Sequence, residues 1–188
     1  MKLLEPLKYL TIKHDEKRKY DLWYPLFGAM VTTLIYVLMD VPFSILGKSG
    51  LVPQINGLLQ VLIGFYIASL AAIATFSNPA IDEVMAGEPP TVKEMYRGKL
   101  LEVPLVRRRF LCFLFGYLAL VSFVLFGFGL IITLFMTPIA NLLIDMPLVL
   151  SISKIIFVFC YTLILFNMLS TTLLGLYYLA VRIHQPND

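Results

Sequence analysis

Four long apolar runs, Leu22 to Met39, Leu58 to Phe76, Phe110 to Met136 and Ile155 to Val181, contain no Asp, Glu, Lys, Arg or His. At 1.5 Å of rise per residue, each is long enough as a helix to cross a hydrocarbon core of ~30 Å. A chain of 188 residues has little length left once four spans and their connections are counted. With 59% hydrophobic and only 14% charged residues, it departs from the soluble average of about a quarter charged. The expectation is an all-α integral membrane protein of four transmembrane helices. Its divisions are a basic interfacial segment (1–21), a first transmembrane hairpin (22–76), a loop with short helices (77–109), a second hairpin (110–181) and a tail (182–188).

Orientation follows from the basic residues, which resist translocation. Thirteen of the fifteen Lys and Arg fall in the N-terminal segment, the middle loop and the C-terminal tail, leaving only Lys48 and Lys154 in the two other connections. This predicts a multi-pass membrane protein with both termini cytoplasmic. Tyr20, Trp23, Tyr24, Tyr177 and Tyr178 stand where the spans would meet that face, the level amphipathic rings prefer. Lys17, Arg18, Lys19, Arg107, Arg108 and Arg109 are then candidates for contact with anionic lipid or a partner. A direct nucleic-acid partner is not expected, since no folded basic surface with stacking aromatics is evident.

The two outer connections resemble one another. Asp40 precedes Pro42 by two residues and Lys48 by eight; Asp145 precedes Pro147 by two and Lys154 by nine. The returning spans share Leu62-Ile63-x-Phe65-x-x-x-Ser69 and Leu163-Ile164-x-Phe166-x-x-x-Ser170. Generic helix-exit chemistry accounts for this, since Pro disfavours helix before it and Asp bonds loop amides. Duplication of a hairpin accounts for it too, and would give two hairpins in a parallel repeat.

Leu3, Leu7 and Leu10 at i, i+4, i+7 suit an interfacial helix. In the middle loop, Asn78-Pro79 reads as a helix start with Gly87 as its stop, and Thr91-Val-Lys-Glu94 as a capping box opening a second helix that ends at Gly98. Within the spans, Gly64, Ala68 and Ala72 form a small-residue stripe, with Gly127 and Gly129 as further packing positions. Asn167, Ser170 and Thr171 share a face, and Gln60 reads as the matching amide; these groups serve as helix-packing contacts or line a polar seam between subunits.

Chemistry-bearing patterns are scarce. His14 and His184 stand far apart, Cys112 and Cys160 fall within spans, and neither metal-ligand spacing nor a Gly-rich phosphate loop occurs. No catalytic residues, metal or cofactor are assigned, and a non-enzymatic protein is expected. Four close-packed helices leave no lumen, so conduction would need oligomers or rearrangement.

With its basic lead-in Asp15-Glu-Lys-Arg-Lys19 and compact four-span body, the whole chain resembles in architecture the small multi-span membrane effectors of bacterial anti-phage systems, of the abortive-infection and retron type. The resemblance implies an oligomerising, membrane-perturbing or pore-forming protein triggered through its cytoplasmic segments by a separate protein or sensor. A scaffold or accessory subunit of a larger membrane complex or transporter is the alternative, and a phage lysis or superinfection-exclusion protein a third.

Overall fold

The computed structural model describes residues 2–14, 17–75, 81–84, 89–96, 99–142 and 146–181. It is about 80% helical, and among the described residues four helices are long and apolar enough to span a membrane. A 3-10 helix over Lys2–Thr11 leads to a turn of π-helix at Lys19–Trp23, which runs directly into α1, Tyr24–Leu38. Then come α2 (Leu51–Thr75), a β-hairpin of β1 (Thr91–Tyr96) and β2 (Lys99–Pro104), α3 (Arg107–Leu142) and α4 (Pro147–Ala180).

The second, third and fourth spans start earlier than their apolar runs, the third at Arg107 rather than Phe110. The second begins at Leu51, not Leu58, because Pro53 lies in the first turn, where a missing N–H costs no hydrogen bond. The preceding turn is tied by Ser44, whose hydroxyl accepts from Gly47 N at 3.0 Å and whose carbonyl accepts from Leu51 N at 2.9 Å. The fourth begins at Pro147, whose fixed φ suits the first helical position, so Lys154 lies within the helix rather than in a connecting loop.

The second short helix expected in the middle loop is replaced by the hairpin, which qualifies the all-α expectation. Thr91 to Tyr96 pair antiparallel with Pro104 to Lys99. The capping-box signal at Thr91 and Glu94 is local, and the alternation that exposes Lys93 while burying Val92 is met instead by a partner strand. Lys13 pairs with Thr91 on the free edge of β1, through backbone bonds of 3.0 and 3.3 Å. The expected helix start at Asn78-Pro79 and its stop at Gly87 lie outside the described residues.

Helix packing does not follow chain order. The closest partnerships join α1 to α4 and α2 to α3; α3 and α4 touch less extensively, and α1 and α2 at most marginally. The two expected hairpins are therefore not separate packing units. Gly28 allows the first pairing, since a Cβ there would stand 2.6 Å from the Phe166 ring. Gly129 does the same between α3 and Asn56 of α2, and Gly175 between α4 and Leu114. The core centres on Tyr66, Phe115, Leu111, Leu114, Leu118 and Met168, and the 3-10 helix lies against α3 on the same cluster, with Pro6 3.5 Å from the Cβ position of Gly116.

Candidate functional site

The N-terminal segment and the hairpin gather at one end of the bundle, together with the ends of α1, α3 and α4. The segment's leucine stripe does not seat it: Leu3 and Leu10 are exposed, and Leu7 is only half-buried. The anchor is Tyr9, with 0% exposure, which stacks on Tyr117 of α3 at 4.9 Å and meets Phe110 at 6.4 Å. Its hydroxyl donates to Asp21 Oδ1 at 3.1 Å. Burial, and then the Asp21 charge, raise the Tyr9 pKa well above that of a free phenol, so the O–H stays in place to donate.

Asp21 is the centre of the cluster. Its other carboxylate oxygen pairs with the ammonium of Lys17, which is 7% exposed and sits 4.2 Å from the Tyr9 ring centroid. Taking two charges out of water is costly unless they are paired, and leaving one unpaired typically costs about 3–5 kcal/mol. Around the pair, Asn167 of α4 donates from Nδ2 to the Asp21 carbonyl at 2.9 Å, and its Oδ1 accepts from the Tyr117 hydroxyl at 2.6 Å. Ser170 donates to the Tyr20 carbonyl at 2.7 Å. The accepting carbonyls belong to the π-helical turn, where the i→i−4 ladder is interrupted and backbone groups turn to other partners.

Three basic residues expected to face lipid or a partner are engaged internally. Lys17 is in the cluster just described. Arg107 is buried, with its backbone N–H on the Glu83 carbonyl at 3.1 Å. Arg108 grips Asp82 with Nε at 2.7 Å and Nη2 at 3.0 Å, and donates from Nη1 to the Ile73 carbonyl near the end of α2 at 2.6 Å. Arg109 lies over the Phe113 ring, and Arg18 and Lys19 are exposed.

Within one copy the four polar residues do not stay together. Asn167 and Ser170 join the cluster and Thr171 is fully buried, but Gln60 stands exposed on α2 and does not meet them. The buried amide of α2 is Asn56, one turn earlier, whose Oδ1 has no partner among the described residues. Gly64, Ala68 and Ala72 are exposed rather than packed, Gly127 has open space at its Cβ position, and only Gly129 of that set sits in a close helix contact. Among the described residues, Asp40, Lys48 and Lys154 form no ion pair; Asp145 lies outside them. Lys154 instead borders a cavity of about 330 Å³ with Tyr36, Met39 and Pro42.

Sequence reading missed Tyr9, Asp21 and Tyr117. Asp21 carried a usable signal, an acid directly abutting an apolar run four residues after a lysine. Tyr9 carried none, because an aromatic near a membrane face is expected at the interface whether or not it is buried. Among the described residues, no three His, Cys, Asp or Glu gather as a metal site. The groups of the cluster hold one another and fix the N-terminal segment to three spans, which is the chemistry of a latch.

No family profile matches the chain, and neither a curated protein nor a solved structure matches it.

Proposed function

We propose that this chain is a membrane-perturbing effector of the bacterial inner membrane, of the anti-phage type, with both termini and the middle segment in the cytoplasm. It oligomerises and permeabilises or depolarises the membrane when a cytoplasmic protein or sensor acts on residues 1–21 and 77–109. The observation that carries this reading is the linkage at the hairpin end. The β1 edge grips the segment at Lys13, and four residues on either side Tyr9 and Lys17 enter the buried cluster that touches α1, α3 and α4. A partner that takes the hairpin edge by strand addition competes directly with Lys13, and so pulls on the latch.

The basic-residue bias supports the orientation. The helix partnerships support a parallel repeat, because exchanging α1 with α3 and α2 with α4 turns the α1–α4 contact into the α3–α2 contact.

Induced expression in a bacterial host with a membrane-potential dye tests the proposal. Depolarisation and loss of viability, alone or with the products of neighbouring genes, are expected. Unchanged potential and viability in both settings would leave a scaffold subunit as the better reading.

A further inference from the structure

At the end of the bundle away from the hairpin, a cavity of about 330 Å³ lies between the exit of α1, at Tyr36, Met39 and Pro42, and the first turns of α4, at Leu150, Ser151 and Lys154. Its size is in the range of small-molecule sites, ~300–1,000 Å³. Three polar side chains border it without a partner among the described residues. The Lys154 ammonium forms no ion pair, and neither it nor the hydroxyls of Tyr36 and Ser151 make a hydrogen bond. Span hydroxyls elsewhere turn back to the carbonyl four residues earlier, as Thr32, Ser122 and Thr162 do at 2.7–2.9 Å. Asp40, next to Met39, does not line the cavity, so no acid of the described residues neutralises Lys154 there.

The depth of the cavity follows from the backbone. α1 ends at Leu38, and Met39 is already extended, with φ −75° and ψ 129°. Hydrocarbon does not hold lipid-exposed irregular backbone, so this exit marks the limit of the hydrocarbon core. Lys154 borders the same cavity and lies at that limit. About twenty residues of α4 counted from Ile155 cross a core of ~30 Å and end at Leu174, one turn short of Tyr177 and Tyr178 at the opposite interface. The turns of α4 that precede Lys154 stand in the headgroup layer. The cavity thus joins an apolar wall, formed by Val37 and Ile155, to a polar rim. Water would satisfy the rim and wet the wall, whereas a lipid satisfies both.

We propose that this cavity binds one anionic phospholipid, its phosphate held by the Lys154 ammonium and the Ser151 hydroxyl and its chain lying along Val37 and Ile155. A lysine is a point charge rather than a shaped fork, so the site selects by charge and not by headgroup shape. The site is separate from the latch and does not depend on the proposed activity. A lipid seated there ties α1 to α4 at the opposite end of the bundle.

Native mass spectrometry of the full chain in non-ionic detergent tests this, with phosphatidylglycerol or phosphatidylcholine added at equal concentration. Lys154→Gln is expected to lose one bound phosphatidylglycerol, its apparent affinity falling about fivefold, the effect of one lysine at an anionic membrane surface. Phosphatidylcholine binding should be unchanged. Lys154→Arg should bind as the unaltered chain does, and so should Lys48→Gln, which alters an exposed lysine outside the cavity. Undiminished phosphatidylglycerol binding in Lys154→Gln, or an equal loss of both lipids, would overturn the proposal. Displacement of the bound lipid by millimolar inorganic phosphate would overturn the lipid as occupant in favour of a free-phosphate site.

Discussion

At the hairpin end, Tyr9, Lys17, Asp21, Tyr117, Asn167 and Ser170 bond to one another or to turned-out carbonyls in a largely buried cluster. Toward the other end, Asn56 and Tyr161 are buried with unpartnered oxygens, and Gln60 faces outward from the middle of a span. Both regions place polar groups inside an apolar body. One region uses them to hold its own chain together; in the other the Asn56 and Tyr161 oxygens meet no partner among the described residues.

The sharpest way to break this contrast is to unpair the charges. Asp21→Asn leaves Lys17 buried without a counter-charge, and Lys17→Met does the same to Asp21; either should cost about 3–5 kcal/mol locally. The N-terminal segment should come free, read as fast amide exchange over residues 2–14 while exchange within α2 and α3 is kept. Protection like that of the unaltered chain would show that the cluster does not hold the segment.

Asn167→Leu removes one donor and one acceptor and leaves the Tyr117 hydroxyl unmatched, a loss of about 1–3 kcal/mol. It should weaken the same protection and, by loosening the latch, raise basal depolarisation, though less than Asp21→Asn does. A variant as protected and as quiet as the unaltered chain would reduce Asn167 to packing.

Asn56→Leu should act in the opposite direction. Replacing a buried amide whose carbonyl has no partner with an apolar group of similar shape should be neutral or stabilising, by up to about 1 kcal/mol in SDS-induced unfolding. Destabilisation comparable to that of Asn167→Leu would erase the difference between the two regions.

The smallest effect is that of pH on the exposed clamps. The hydrogen bond from Lys13, and then its charge, hold Glu102 below the usual 4.5, and Arg108 holds Asp82 below the usual 3.8. Depressed carboxylates give stabilisation that is present above their unfolded values and lost as pH falls through their folded ones. Exchange protection of the hairpin should therefore be flat from pH 7 to pH 5 and fade below about pH 4. Loss near pH 6 would point to a different group.

The four spans were legible because membrane crossing is a local property of apolar length. Their ends were not, where Pro53 and Lys154 interrupt the apolar pattern without interrupting the helix. The hairpin was misread because a capping box is local, whereas strand pairing depends on Lys99 to Pro104 and on the edge contact with Lys13. At the site, spacing correctly put Asn167, Ser170 and Thr171 on one face, but their partners lay in a π-helical turn that no residue pattern announces. Gln60 was matched to Asn167 by residue type, and within one copy it instead faces outward from α2, which only the packing order reveals. The order found here, α1 on α4 and α2 on α3, is a tertiary choice set by close approaches at Gly28, Gly129 and Gly175.

The central claim is that the buried Lys17–Asp21–Tyr9 cluster keeps the helical body quiet. It is tested most directly by recording membrane potential in cells expressing Asp21→Asn or the unaltered chain at matched membrane abundance, with no partner co-expressed. The account predicts depolarisation by Asp21→Asn alone. An unchanged potential, in a variant whose N-terminal segment is shown by amide exchange to be released, would contradict it.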